Sequence, residues 1–445
     1  MDKKGIYAIV VVVVIIVAAV AAYMVASGNN DPNESPAEMS EAELKVYGNI
    51  NGDRFIDGDD VSMLEQLVAD GATVEEYPLA DANQDGVLDQ DDIDVIRAVA
   101  NGDAATIWHI NYHDTNGDSV MDEELVSTKF PITSTIITAS TNLSMLMYAL
   151  DITGTVHGAS YSSTSLDSEI FADSLLDTSK CEKLGTSSTS IAFEDGKVGS
   201  SDVIAQHNVT ALITDWNRTY ITNESNFEGA NIDVVRISAA AVDTETMTHS
   251  VMLLGLLFQV EERASAYLDL CNNVMDYVNG AIADEPAAKA VVSSMSGYLS
   301  SPTSDYSAAI LLAGAEYGIP GVDFGDSTSL KIEDHPEVYT YDFDYIIHVR
   351  SNLSYGQTQD SINEIWDRYT EKFSDWEHAE DGQYMVSGMI PVPLRVAYAA
   401  ALLHSDVVDL DTVNDFHQQF VDQFYDKDYD VSSMLWIVSA DDITA

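Results

Sequence analysis

Two short acidic loops, thirty-two residues apart, constrain this chain more than any other feature. The first places Asn49, Asn51, Asp53, Asp57 and Asp60 at loop positions 1, 3, 5, 9 and 12. The second places Asp81, Asn83, Asp85, Asp89 and Asp92 at the same positions. Oxygen side chains at this spacing let a tight loop close around one hard cation. The backbone carbonyl at position 7, Phe55 or Val87, completes the set. Each loop leads into an apolar helical stretch, residues 61–68 and 93–99. Position 12 is Asp rather than the longer Glu of a paired EF-hand. Position 6 is Gly86 in the second loop but Arg54 in the first, where a glycine would ease the sharp turn. The expectation is two calcium ions, the second loop binding the tighter.

The loop-and-helix pair, repeated at this separation with Asp at position 12, resembles a type I dockerin over residues 46–103. That resemblance implies a small all-α module that binds two Ca2+ and docks onto a cohesin module of another protein. Partner choice in that family sits at loop positions 10 and 11, here Gly58 with Asp59 and Gln90 with Asp91.

The chain has 445 residues, enough for two or three domains with a sizeable core. Its 19 Lys and Arg face 74 Asp and Glu, a formal net charge of −55. Such a surface has no footprint for a nucleic-acid backbone. It favours solubility, cation attraction or a saline habitat. Residues 6–26 are an unbroken apolar run of 21, long enough to span a bilayer, and Lys3 and Lys4 precede it. The reading is a signal anchor at residues 1–26: a single membrane pass with the bulk of the chain outside the cell. A cleaved signal peptide is the alternative. Cys181 and Cys271 are too few for a disulfide framework. Asn-x-Ser/Thr sequons beginning at Asn33, Asn142, Asn208, Asn217, Asn223 and Asn352 fit an exported chain.

Residues 27–45 are polar and read as a linker. From residue 104 apolar bursts alternate with helical patterns, the rhythm of α/β architecture. Strands are expected at 107–112, 134–138, 155–159, 211–214 and 233–237. An Asn-Gly hairpin turn comes after the first. Helices are expected at 142–150, 202–206 and 244–258, and a long one at 261–278. The second half predicts strands at 290–295, 344–349 and 383–387, with helices at 307–317, 361–373, 394–403 and 413–424. The division is therefore an N-terminal lobe at 104–259, a linker helix at 260–282 and a C-terminal lobe at 283–445, with a cleft between the lobes.

Residues 130–430 resemble the substrate-binding proteins of ABC importers for iron–siderophore, haem and cobalamin. Several segments carry the likeness. Pro131-Ile-Thr-Ser-Thr-Ile-Ile137 and the stretch from Ala149 to Gly158 look like the opening strand, helix and strand. Val198 to Trp216 looks like the next unit. Leu254 to Ala264 looks like the start of the linker helix. Gly382 to Gly388 with Pro391 and Pro393 looks like the last strand and helix start. The resemblance implies two Rossmann-like lobes joined by a long helix, a metal-chelate ligand and an ABC permease partner. Asp202 and Glu337 match the positions that contact the permease.

Open α/β sheets bind ligands beyond the carboxyl ends of their strands. That rule selects Asn142, Tyr161, Asp215, Trp216, Arg218, Tyr298, Tyr306, Arg350, Asn352 and Met389 as ligand-binding candidates. Ten histidines form no metal-spaced pair, and H-E-x-x-H, G-x-S-x-G and Walker A motifs are absent. No catalytic constellation appears, so the chain reads as a binding protein rather than an enzyme. The competing reading is a cell-surface assembly protein that works through the dockerin and keeps the two lobes as a scaffold.

Overall fold

A computed structural model describes residues 42–117, 120–160, 181–185, 191–194, 196–199, 202–325, 327–350, 353–425 and 428–443. The apolar run at 6–26 and the candidates Tyr161 and Asn352 lie outside these residues. No helix among the described residues is long and apolar enough to cross a membrane.

The first two helices among the described residues, α1 (Gly58–Asp70) and α2 (Gln90–Ala100), each continue from one acidic loop. Asp57 and Asp89 cap them with matching capping boxes, closed by Asp60 and Asp92 at N3. Gly71 ends α1 with φ 73°, the left-handed conformation a glycine adopts without a Cβ clash. Leu64 of α1 and Ile93, Ile96 and Val99 of α2 are buried.

This N-terminal body is tied firmly to the next strand and to the first lobe. Val46 bridges His109 on β1 (Ala105–His113), and the Ile110 N–H donates to the Lys45 carbonyl. The Lys45 N–H donates to His249 Nδ1 at 3.0 Å, and His249 Nε2 reaches the Ile110 carbonyl at 2.9 Å. One ring nitrogen must accept and the other donate, so His249 is the neutral Nε2–H tautomer. Burial pushes its pKa down to about 3, consistent with that state. The Lys45 ammonium, 2% exposed, pairs with Glu123 and with Glu245. Burial works against its charge, but Tyr112 and the two glutamates outweigh burial and leave its pKa raised. The linker reading of residues 27–45 therefore extends too far. Ala42, Leu44 and Lys45 are buried, because an apolar pair and a doubly paired lysine give this stretch a docking surface.

Strands β1 and β2 (Asp122–Phe130) form an antiparallel hairpin running from Ala105 opposite Phe130 to His113 opposite Asp122. The N-terminal lobe comes next. Its sheet has five parallel strands: β3 (Thr135–Thr138), β4 (Val156–Ser160), β5 (Glu182–Gly185), β6 (Ala211–Asp215) and β7 (Asp233–Ile237), in the order β7-β6-β3-β4-β5. Helix α3 (Thr141–Ala149) leaves β3, and α4 (Thr244–Leu257) comes after β7. All of β3 and β6 is buried, as strands covered on both faces must be.

Helix α5 (Glu261–Ile282), 22 residues and about 33 Å long, joins the lobes. It buries Ala264, Tyr267, Leu268, Cys271, Val274 and Val278, the i, i+3, i+4 stripe of a helix laid along a core. Arg263 donates to the Ala149 carbonyl of the first lobe at 2.6 Å and to the Phe424 carbonyl of the second at 3.1 Å. One apolar cluster runs from Leu44 through both lobes to Trp436.

The second lobe has β8 (Ala288–Ser293), α6 (Asp305–Leu312), β9 (Ala315–Tyr317), β10 (Tyr345–Arg350), β11 (Gln383–Ser387), α7 (Val392–Leu403), α8 (Leu410–Phe420) and β12 (Ile437–Val438). The sheet order is β9-β8-β10-β11-β12, parallel except for β12. The helix expected at 307–317 is overturned in its last turn. Gly314, at φ 91°, breaks it, and residues 315–317 pair with β8 instead. The helix expected at 413–424 is α-helical to Phe420 and widens into a π-turn over Val421–Tyr425. Both lobes are α/β with largely parallel sheets, as their alternating pattern implies.

Candidate functional site

The carboxyl ends of both sheets face the region between the lobes. From the first lobe come Asn142 at the start of α3, Asp215 ending β6, and Tyr220 just beyond it. From the second come Asp305 and Tyr306 opening α6, Arg350 ending β10, and Arg395 in the first turn of α7. A cavity of about 20 Å³, lined by none of these groups, is bounded from both lobes and the linker helix by Leu146, Ser238, Met247, Tyr267, Val392 and Pro393 among others.

Arg395 is the most unusual of these groups, and sequence reasoning missed it. Its side chain is fully buried. Nη2 donates to the Gly388 carbonyl at 3.0 Å and reaches Asn142 Oδ1 of the opposite lobe at 3.4 Å. Among the described residues, Nε and Nη1 have no partner. The guanidinium stands 5.0 Å over the Tyr306 ring. Burial lowers its pKa, offset by Tyr306 and Asp305. A buried cation with two free donors is costly unless something else accepts from it.

Arg350 is nearly as deep. It donates to the Ser294 carbonyl and to the Tyr369 hydroxyl (2.5 Å), and stacks 3.6 Å over the Tyr369 ring, while its Nε has no partner. Asp215 is buried and accepts the Trp216 N–H at 2.8 Å. Burial, then the charge of Asp305, pushes its pKa up to about 7; Trp216 and Arg236 act the other way. Arg236 does not neutralise it directly, since its fork is taken by Glu224 at 2.6 and 3.1 Å.

The other expected ligand residues scatter. Tyr306 and Asn142 stand with Arg395. Trp216 is turned toward the hairpin and packs with Tyr47, Leu79, Ile110 and Tyr112. Met389 is fully buried in the main apolar cluster, where a flexible thioether fills space. Tyr298 is half-buried on a short strand, Tyr298–Ser300, paired with Ser329–Lys331. Arg218 begins a short 3-10 turn beside Asp215, and its side chain lies outside the described atoms. Asp202 and Glu337 are both exposed, paired with Lys197 at 3.4 Å and His335 at 3.0 Å.

The acidic loops repeat one hydrogen-bond pattern. Asn51 accepts from the Asp53 N–H (2.9 Å) and Asp53 from Phe55 (2.8 Å). Asn83 accepts from Asp85 (2.8 Å) and Asp85 from Val87 (2.9 Å). Asp60 and Asp92 are buried and close each loop onto its own start, at the Ile50 and Asn83 N–H groups. Burial raises the pKa of both, and neighbouring loop carboxylates add to it. Asn49 Oδ1, at position 1, is buried without a partner, an acceptor that a cation would satisfy. Gly86 has φ 86°, whereas Arg54 keeps a negative φ and pairs with Glu43 and with Asp269 of α5. No three His, Cys, Asp or Glu side chains among the described residues converge as a metal site. The donor types fit calcium; each loop would have to draw in its Asn and carbonyl oxygens to complete a sphere.

No family model matches the chain, and no curated protein sequence matches it. Its fold does have solved counterparts. A TroA-like periplasmic binding protein, FepB from Veillonella parvula, is similar at TM-score 0.54 and 16% identity, over 71% of this chain and 97% of that one. A periplasmic solute-binding protein of the same organism gives 0.52 and 17%, over 74% and 97%. Helicobacter pylori CeuE, solved with Ni(II) bound, gives 0.51 and 13%, over 74% and 99%. The fold is therefore that of the TroA-like periplasmic solute-binding proteins. These neighbours are binding proteins, not enzymes.

Proposed function

We propose that this protein is the extracytoplasmic substrate-binding component of an ABC importer, and that its cleft holds a metal chelate of the siderophore, haem or cobamide kind. The observation that carries the reading is Arg395, a fully buried guanidinium between the lobes with two unpaired donors. An electron-rich oxygen on a ligand is the partner those donors call for. Arg350 and Tyr306 would line the same pocket, and Asp202 and Glu337 would meet the permease. The long helix and the shared core leave little room for hinge motion, so the change on binding is small. Isothermal titration with ferric siderophores, haemin and cobalamin tests this. At least one is expected to bind at micromolar concentration or tighter; if none does, the lobes serve as a scaffold.

The membrane anchor at residues 6–26 and the dockerin-like module at 46–103 complete the proposal. The module would bind two calcium ions and offer α1 and α2 to a cohesin. Calcium titration is expected to show two sites, the second loop tighter because Gly86 turns where Arg54 cannot. The double change Asp81→Ala, Asp85→Ala should abolish one site and leave the other. Absence of any calcium uptake at millimolar concentration would end the dockerin reading.

A further inference from the structure

We infer that the cleft reads two opposite charges on one ligand: electron-rich chelating oxygens at Arg395 and a protonated amine at Asp215 and Asp305. This rests on the chelate reading above and names the class of chelate. The second lobe supplies the buried guanidinium, with Nε and Nη1 free. The first lobe supplies Asp215 at the end of β6, and Asp305 opens α6 across from it. Tyr220 comes just after β6 and Tyr306 stands next to Asp305 on α6, and burial together with the charges of Asp215 and Asp305 pushes the Tyr220 pKa up.

Among the described residues, Asp215, Asp305, Arg350 and Arg395 form no salt bridge. Arg236, behind Asp215, gives its fork to Glu224 and its remaining Nη1 to the Asp215 and Asn217 carbonyls. Asp305 is exposed to solvent, so a ligand can reach it, while Asp215 is buried and holds the deeper place. A carboxylate pair held together at such a site wants either a proton or a cation between its members. An ammonium arm meets that demand while the chelate's oxygens meet Arg395. A surface of net charge −55 draws the same ligand in.

The charged and titratable groups that act on Asp215 are Asp305, Arg236 and Tyr220, with Tyr306 and Arg395 adjoining Asp305. Arg218 shares the turn after β6. Asp215, near pH 7, is ionised and ready for an ammonium above neutrality and protonated below it. The preference for an amine should therefore be largest at pH 8 and fade by pH 5.5. At pH 7 an ammonium entering the site should displace the carboxyl proton into buffer.

The test uses ferrioxamine B, a ferric trihydroxamate with one free ammonium arm, against its N-acetylated form, by isothermal titration to the full chain. At pH 8 the free amine is expected to bind at least tenfold tighter. Asp215→Asn and Asp305→Asn should each reduce that ratio toward one. Both variants are near-isosteric, and thermal melts check that they fold. Equal binding of the two forms, or a ratio untouched by both variants, would overturn the two-charge inference and leave the chelate reading standing. If neither form binds to a cooperatively folded protein, both fall.

Discussion

Replacing Arg395 by methionine is expected to stabilise the empty protein and to destroy its binding. The two effects share one cause. The guanidinium is fully buried, and two of its donors find no acceptor among the described residues. Methionine of similar length removes the cost of the two unpaired donors, about 1–3 kcal/mol for each buried unsatisfied group. The same exchange removes the group proposed to grip chelate oxygens. A lost charge-assisted contact in a dry site is worth about 2–5 kcal/mol, so affinity should fall at least about thirtyfold. Urea midpoints and titration of the same sample read both numbers. A variant that binds normally, or one that is less stable and binds normally, would assign Arg395 a packing role.

The second large effect should come from Gly255→Val, which attacks the seat of the linker helix. A Cβ at Gly255 would stand 2.6 Å from the Ala264 Cβ and 3.3 Å from the Glu261 backbone. Those atoms belong to the first turns of α5 and cannot yield as a flexible side-chain end could. Overpacking of this kind costs about 1–3 kcal/mol and more where backbone must shift. Because α5 carries part of the core of both lobes, the two lobes should unfold together at a lower urea concentration. Two separate transitions, with only one of them shifted, would show that the lobes do not share a core.

Much of the scaffold was legible because its signals are local. The buried parallel strand Ala211–Asp215 opens on an apolar run, Ala211 to Ile213, and α5 announces itself by a stripe from Ala264 to Val278. The site was less so, for reasons particular residues make plain. Arg395 lies inside an apolar helix, and its one signal was a lone cation amid Val, Leu and Ala from Val392 to Leu403. A strand-end rule singled out Asp215 and Arg350, which end β6 and β10. It could not tell which way Trp216 turns, because the hairpin and the N-terminal body offered that indole an apolar surface of their own. Met389 failed for a similar reason: it comes just after a strand end, yet the core needed its volume. The docking of residues 42–45 was hidden because it depends on His249 and Glu245, about 200 positions away.

The central claim is that the cleft between the lobes holds a metal chelate through Arg395. Native mass spectrometry after incubation with a mixture of ferric siderophores, haemin and cobalamin tests it most directly. Wild-type protein is expected to retain one chelate at one-to-one stoichiometry, and Arg395→Met protein, folded and at least as stable, to retain none. A wild-type protein that emerges empty, or a chelate held equally by both, would contradict it.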